Sequence, residues 1–134
     1  MGLLLDTNVL IRAERRDQAP DWSRWHGEGD AYLAAISASE LLIGVHRAGS
    51  EAQRVRRAAW VESILSAVPI LPFELETARV HAQLLASLPA GVNVGAHDLL
   101  IAATAVQHGL AVLTANLKEF ARIPGLRVLD FGAV

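Results

Sequence analysis

Short apolar runs alternate with amphipathic segments along the chain. Four apolar runs have the length of buried strands: Gly2–Leu5, Tyr32–Ile36, Leu110–Leu113 and Leu126–Leu129. Apolar residues at helical spacing predict the main helices: Ser37–Ala48, Glu51–Ser66, Glu76–Leu88, Asp98–His108 and Asn116–Ala121. A very short extended piece lies between Pro69 and Pro72. Because strands separated by helices need crossover connections, the pattern predicts an α/β fold with a parallel sheet.

The composition is that of one globular domain. The chain has 134 residues, of which 52% are hydrophobic and 19% charged, so apolar burial can offset the entropy lost on folding. We therefore predict a single domain over residues 1–134. The net charge of −2 produces no overall positive field of the kind that marks many nucleic-acid-binding proteins. Any site for nucleic acid has to be local.

Three sequence features bear on the cellular compartment. The chain contains no cysteine, which excludes disulfides, thiolate catalysis and Cys-based zinc sites. The amino-terminal sequence MGLLLD lacks the basic and long apolar regions of a signal peptide, because Asp6 interrupts it. The most apolar stretch, Leu99–Leu113, is too short to span a bilayer. We expect a cytoplasmic protein with no membrane segment.

Three acidic residues fall where the predicted sheet would bring them together. Asp6 follows the first strand, Glu40 lies one turn into the helix after the second, and Asp98 begins the helix before the third. Ligands of open parallel sheets bind beyond the carboxyl ends of the strands. Converging carboxylates without a cationic partner repel one another, and a divalent cation relieves that repulsion. Oxygen ligands favour Mg²⁺ or Mn²⁺, which can hold a phosphodiester and activate a water molecule.

Each acid also has a local structural explanation. Glu40 could complete a capping box with Ser37, and Asp98 could interact favourably with the dipole of its helix. Asp6 could cap the helix that follows it. The pair Asn116 and Glu119 has the spacing of another capping box. Metal binding is the better explanation only if the three acids converge.

Three stretches of the chain carry a family resemblance. They are LLLDTNVLI at Leu3–Ile11, ISASELLIGVHRA at Ile36–Ala48, and GAHDLLIAATAVQHGLAVLTANLKEFARIPGLRVLDF at Gly95–Phe131. With these motifs in this order, the chain resembles the PIN domains, and more closely the VapC toxins of bacterial toxin–antitoxin pairs. The resemblance implies a three-layer α/β/α sandwich with a central parallel sheet. It also implies a metal-dependent endoribonuclease.

The resemblance assigns roles to individual positions. By position, Asp6, Glu40 and Asp98 match the three acids of the family's metal site. Thr114 matches the family's hydroxyl residue after the third strand, and Asn116 falls where many members carry a fourth acid. The implied cofactor is Mg²⁺, with Mn²⁺ as an alternative. The implied catalytic set is Asp6, Glu40, Asp98, Thr114 and Asn116.

Asn116 is a departure from the family pattern. Its amide can form hydrogen bonds or ligate a metal through oxygen, but it carries no charge. We therefore expect one metal ion rather than two. Glu119 could supply the missing carboxylate, or it could point to solvent.

The resemblance also implies partners: an RNA substrate, a second copy of the chain in a homodimer, and a cognate VapB-like antitoxin whose basic side chain lies near the acids. Trp22 and Trp25 could form an exposed pair in a partner groove. The arginines of Arg12–Arg16 and Arg47–Arg57 could hold the RNA backbone on either side of the cleaved bond. His97 precedes Asp98, and we leave it outside the catalytic set.

Rival functions differ in what they require. A haloacid-dehalogenase-like phosphatase needs a second Asp two residues after the first, where this chain has Asn8. A phospho-receiver domain needs paired acids after the first strand, where this chain has only Asp6. Two alternatives stay open: a catalytically inactive PIN-fold binding module, and a PIN nuclease of RNA processing outside a toxin–antitoxin system.

Overall fold

Five strands form one parallel sheet in the computed structural model, which describes residues 2–15 and 23–133. The strands are β1 (Gly2–Leu5), β2 (Asp30–Ala34), β3 (Ile70–Leu71), β4 (Ala111–Thr114) and β5 (Val128–Asp130). Their order across the sheet is β3-β2-β1-β4-β5, and every neighbouring pair is parallel. The predicted parallel sheet is confirmed, and the short piece between Pro69 and Pro72 is its edge strand.

In the described ranges, six α-helices connect the strands: α1 (Thr7–Arg15), α2 (Ala35–His46), α3 (Glu51–Ala67), α4 (Leu75–Ser87), α5 (Ala96–His108) and α6 (Leu117–Ala121). Two short 3₁₀ segments, Ser23–Glu28 and Phe131–Ala133, lie near the ends of β2 and β5. Within the described ranges, no helix combines the length and the apolar character needed to cross a bilayer.

The side chains of β1 divide the core between the two faces of the sheet. Leu3 and Leu5 pack with residues of α1, α2 and α3, whereas Leu4 packs with residues of α4, α5 and α6. All three leucines are fully buried, as expected for a central parallel strand whose two faces are both covered by helices. The structure is therefore a three-layer α/β/α sandwich, which confirms the predicted fold class.

The strand order positions the candidate site. From β1 the chain moves outward through β2 and β3, and it then returns to the other side of β1 for β4 and β5. The order thus reverses between β1 and β4, and such reversals open a crevice beyond the carboxyl ends of the strands. Asp6 follows β1 at this point, and Thr114 ends β4.

Three local predictions about helix starts are wrong. Helix α2 begins at Ala35 with Ala34 as its N-cap, so Ser37 lies inside the first turn, is fully buried and forms no capping box with Glu40. Helix α5 begins at Ala96, two residues before Asp98. Asn116 precedes α6 without a side-chain capping bond. Packing against the sheet, rather than local capping chemistry, sets these starts.

The predicted exposed tryptophan pair is not supported by the position of Trp25. Its ring is partly buried and stacks on Phe131 with a centroid separation of 5.2 Å. Trp22 lies outside the described residues. The Trp25 ring therefore helps to attach the first 3₁₀ segment to the end of the chain.

Candidate active site

Asp6 is held rigidly at the end of β1. Its backbone N–H donates to the carbonyl of Leu113 at 2.9 Å, which continues the pairing of β1 with β4. Oδ1 accepts from the N–H of Thr7 at 2.8 Å, and Oδ2 accepts from the hydroxyl of Thr114 at 2.8 Å. The side chain is 6% exposed. Burial raises the pKa of Asp6, and the bonds from Thr114 and Thr7 oppose that rise.

Thr114 links Asp6 to the turn that follows β4. Its hydroxyl donates to Asp6 and accepts from the backbone N–H of Asn116 at 2.8 Å. Asn8 closes the same turn, because its Oδ1 accepts from the N–H of Ala115 at 3.2 Å. The exposed side chain of Asn116 forms no hydrogen bond with the acids within the described part of the chain. Asn116 therefore contributes a backbone donor to the site.

Glu40 extends toward Asp6 from the second turn of α2. Its Oε1 lies 3.5 Å from Nδ1 of His97. Burial raises the pKa of Glu40, the charge of His97 opposes the rise, and the charge of Asp6 adds to it. In the described ranges neither Oε1 of Glu40 nor the hydroxyl of Thr7 has a well-formed hydrogen bond, although Thr7 and His97 lie close enough to Glu40 to favour its charged form. Buried oxygens without a well-formed hydrogen bond suit a site that receives a ligand.

Asp98 lies in the first turn of α5 and is half-buried. Burial is the main cause that raises its pKa, to about 6. The negative charges of Asp6, Glu119 and Glu40 raise it further, and only His97 opposes them. The three predicted acids therefore do converge: the charge of Asp6 raises the pKa of both Glu40 and Asp98, and the charge of Glu40 raises that of Asp98.

Glu119 joins the cluster as a fourth acid. Its Oε1 accepts from the backbone N–H of Gly95 at 2.8 Å, so it forms no capping box with Asn116. A Cβ placed on Gly95 would lie 3.7 Å from both Asp98 Oδ2 and Glu119 Oε1, so the two carboxylates flank this glycine. Of the two possibilities left open by the sequence, the carboxylate of Glu119 points into the site.

Like Glu119, His97 is a neighbour of the three acids that lies outside the predicted catalytic set. It lies 3.5 Å from Glu40 and influences the pKa values of both Glu40 and Asp98. The available signal was its position beside Asp98, one residue earlier in the same helix. That signal was ambiguous, because adjacent residues on a helix point in different directions.

No guanidinium neutralises the acidic cluster within the described ranges. The ion pairs of arginine there are Arg54 with Glu51, Arg57 with Glu14, and Arg127 with Glu28. Arg57 also donates to the carbonyl of Gly44 at 3.0 Å. Both guanidinium groups therefore have partners within the protein, and the hypothesis that they hold RNA stays a prediction.

The donor set suits a hard divalent cation, although it is not a closed cage. Among residues 2–15 and 23–133, no group of three or more acidic or histidine side chains lies close enough together to form a ready-made metal site. A Mg²⁺ site does not require one, because Mg²⁺ keeps several waters and binds proteins through one or two carboxylates. Carboxylates without an arginine or lysine partner in the described ranges, and a buried oxygen without a well-formed hydrogen bond, fit such an ion.

Comparison with known proteins finds relatives that match nearly the whole chain. Ribonuclease VapC1 of Rickettsia felis is 42% identical over 131 residues, which cover 96% of each chain. A tRNA(fMet)-specific endonuclease VapC of Salmonella typhimurium is 33% identical over 132 residues, which cover 98% of each chain.

Solved structures match over nearly the whole fold. The DNA-bound VapBC structure from Salmonella typhimurium gives a TM-score of 0.85 at 31% identity, covering 97% of this chain and 98% of the matched chain. FitAcB from Neisseria gonorrhoeae gives 0.82 at 31% identity, covering 98% and 99%. The model of the PIN domain family matches residues 3–126. Because this model covers most of the chain and the relatives match it from end to end, the chain belongs to the PIN-domain family.

Proposed function

We propose that this protein is an endoribonuclease that hydrolyses RNA phosphodiester bonds with Mg²⁺, or alternatively Mn²⁺, as cofactor. One observation carries the proposal. Asp6, Glu40 and Asp98 come from three distant segments, converge beyond the carboxyl ends of β1 and β4, and have no arginine or lysine partner in the described ranges. Full-length relatives named as ribonucleases support the same reaction.

The cation would be held by Asp6, Glu40 and Asp98, with Glu119 as a further carboxylate beside Asp98. When bound, such an ion polarises a phosphoryl oxygen and lowers the pKa of a bound water. Four acids could accommodate more than one ion, but the bond from Gly95 already occupies Oε1 of Glu119. One ion is therefore the simpler proposal.

The protein's own contribution is to fix the ligands before substrate arrives. Thr7 and Thr114 each donate to one oxygen of Asp6, so that carboxylate cannot rotate freely. Asp98 has a pKa of about 6, so it is mainly ionised at neutral pH and can accept a cation. Preorganised groups of this kind stabilise charge that develops in the transition state without having to reorient.

The biological role that we propose is the toxin of a toxin–antitoxin pair, acting in the cytoplasm as a homodimer. Structural relatives solved as VapBC complexes support a VapB-like antitoxin as partner. An acidic cluster without an internal cation is a natural target for a basic side chain of such a partner. A nuclease of RNA processing outside a toxin–antitoxin system remains the alternative role.

The alternative of a catalytically inactive binding module is less well supported than the sequence suggested. That alternative depended on the missing charge at Asn116. Because Glu119 lies beside Asp98 and raises its pKa, the site has a fourth carboxylate despite the asparagine. We therefore favour an active enzyme.

The test is cleavage of total RNA by the purified protein in Mg²⁺, in Mn²⁺ and in EDTA. We expect cleavage only with metal, and a loss of at least about 100-fold in Asp6→Asn, because mutating even outer-shell groups of a metal site costs 10–100-fold. The matched control is Glu62→Gln, an exposed acid on α3, which should cleave normally. Circular dichroism should show that both variants fold. Cleavage that ignores metal, or equal cleavage by Asp6→Asn, would contradict the proposal.

A further inference from the structure

Two buried oxygens at the acidic cluster have no well-formed hydrogen bond. They are the hydroxyl of Thr7, at the start of α1, and Oε1 of Glu40, in the second turn of α2. Buried polar atoms in native proteins nearly always have a partner, and a buried oxygen without one is costly. Because both atoms lie beside the same acids, we looked for one role that accounts for the pair.

The Thr7 hydroxyl lies within reach of Glu40. Burial raises the pKa of Glu40, and the Thr7 hydroxyl is one of the groups that oppose this rise, which places it close to the carboxylate. A hydroxyl can rotate its proton toward an acceptor, and a bond to an ionised carboxylate is stronger than one to a neutral oxygen. Because only 4% of Thr7 is exposed, water competes little for that proton.

Thr7 also holds Asp6, through a different atom. Its backbone N–H donates to Oδ1 of Asp6 at 2.8 Å. The backbone of Thr7 is itself fixed, because Thr7 begins α1 and the next turn of that helix places Val9 and Leu10 in the core. One residue therefore reaches Asp6 with its main chain and Glu40 with its side chain.

We propose that Thr7 is a positioning residue that ties Glu40 to Asp6 and so sets the spacing of these two carboxylates for the cation. The inference rests on the proposed metal-dependent function and adds to it a residue that acts through Glu40 rather than on RNA. Mg²⁺ demands a nearly ideal octahedral geometry with ligands at about 2.0–2.1 Å. A glutamate that can swing away from Asp6 would bind such an ion less well.

His97 is the rival for the same role. Its Nδ1 lies 3.5 Å from Oε1 of Glu40, which is longer than the usual N–H···O distance of about 2.7–3.2 Å. The His97 side chain is 55% exposed, so water can replace it easily. Thr7 is favoured because its hydroxyl is buried and its backbone is fixed.

Thr7→Val removes the hydroxyl but keeps the shape of the side chain and the N–H that Asp6 accepts. We expect the variant to fold, as checked by circular dichroism, and to bind Mn²⁺ about tenfold less tightly or worse. Changing a group that orients a metal ligand typically costs about 10–100-fold in affinity. The measurement is a titration with Mn²⁺ alone, followed by the electron paramagnetic resonance signal of the free ion, with Mg²⁺ as competitor.

Two further variants are matched to Thr7→Val. Thr7→Ser keeps the hydroxyl and should restore most of the affinity for Mn²⁺. Thr104→Val removes the hydroxyl of another buried threonine, which donates to the carbonyl of Leu100 within α5 at 3.1 Å. It should bind Mn²⁺ as tightly as the unmodified protein does.

Steady-state kinetics separate positioning of a ligand from contact with RNA. In Thr7→Val, kcat should fall at limiting Mg²⁺ and recover as Mg²⁺ approaches saturation. KM for a short single-stranded RNA, measured at saturating Mg²⁺, should stay unchanged. A raised KM would overturn the proposal, because the hydroxyl would then act on the substrate.

A double-mutant cycle tests the contact between Thr7 and Glu40 without any metal. In EDTA, Thr7→Val should lower the free energy of unfolding more when Glu40 is present than in Glu40→Ala, where the hydroxyl has no carboxylate to bind. Equal changes in the two backgrounds would show that Thr7 does not act through Glu40. A folded Thr7→Val with unchanged affinity for Mn²⁺ would also overturn the proposal. So would a loss of affinity in His97→Ala but not in Thr7→Val, which would assign the role to the imidazole.

The two proposals fail in different ways. If the unmodified protein binds neither Mn²⁺ nor Mg²⁺ and cleaves no RNA, the proposed function is wrong and the role of Thr7 falls with it. If the unmodified protein binds the ion and cleaves RNA, and Thr7→Val does both equally well, only the role of Thr7 is wrong.

Discussion

Replacing Asp98 by asparagine should stabilise the metal-free protein, although it should abolish catalysis. In the absence of a cation, the ionised Asp98 is buried in part and faces three other carboxylates. Asparagine has nearly the same shape but carries no charge. The folded variant is then free of this charge repulsion, whereas the free energy of the unfolded chain changes little, because the acids lie far apart there.

The magnitude follows from the pKa of Asp98, which rises from 3.8 to about 6. Each pKa unit corresponds to about 1.4 kcal/mol, so the rise would correspond to roughly 3 kcal/mol for a fully buried group. Because Asp98 is half-exposed, solvent screening reduces this to about 1.5 kcal/mol. Losing a favourable charge in the first turn of α5 costs about 0.5 kcal/mol. The net gain is about 1 kcal/mol, or roughly 4 °C in Tm for a domain of this size.

The effect must depend on pH in a defined direction. The folded protein binds a proton at Asp98 more tightly than the unfolded chain does. Binding of this proton therefore stabilises the folded state fully below about pH 4, and that stabilisation is lost as the pH rises through about 6. Asp98→Asn should melt higher than the unmodified protein at pH 7.5. The difference should shrink below pH 6 and disappear near pH 4.

The assay is thermal denaturation in EDTA at pH 7.5, 5.5 and 4.0, repeated at pH 7.5 with Mg²⁺. Added Mg²⁺ should raise the Tm of the unmodified protein and raise that of Asp98→Asn much less, because binding to the folded state alone stabilises it. Glu62→Gln, remote from the cluster, is the control and should behave like the unmodified protein. A variant that is less stable at pH 7.5 in EDTA, or an advantage that persists at pH 4.0, would refute the reasoning.

Two further predictions concern the groups around the acids. Thr114→Val should lower the free energy of unfolding, measured by chemical denaturation, by about 1–3 kcal/mol, because it leaves the N–H of Asn116 unsatisfied and removes a donor to Asp6. Thr114→Ser keeps the hydroxyl and should restore most of that stability. A valine variant as stable as the unmodified protein would contradict the role of the hydroxyl. Glu119→Gln keeps an oxygen for the N–H of Gly95 but removes the charge, whereas Glu119→Ala removes both. RNA cleavage should fall in both variants and Tm mainly in Glu119→Ala, so full activity in Glu119→Gln would show that the charge is not needed.

Local sequence patterns were sufficient to predict the strands and helices and part of the candidate site. The apolar run before Asp6 predicts a central strand, and an acid directly after such a strand lies at the carboxyl edge of a parallel sheet wherever the other strands go. Glu40 and Asp98 could be assigned similarly, because each lies near the start of a helix that adjoins a strand. Their convergence needed only the parallel topology, which the order of strands and helices already indicated.

The starts of the helices were harder to predict, and Ser37 shows why. A serine three residues before Glu40 has the pattern of a capping box. In the structure it lies inside the first turn of α2, with its side chain fully buried. The free energy of packing α2 against the sheet exceeds the contribution of one cap, which is typically about 1 kcal/mol.

The sequence by itself determined the order of the elements, the parallel sheet and the identity of three acids at its edge, because these depend on neighbours along the chain. Only the tertiary structure decided which charges meet. Glu119 turns toward Asp98 because α6 packs beside the loop that ends at Gly95. Arg57, one of the arginines that the sequence suggested for RNA binding, is bound by Glu14, 43 positions away. Contacts between distant segments depend on how the helices pack, and no local pattern encodes that packing.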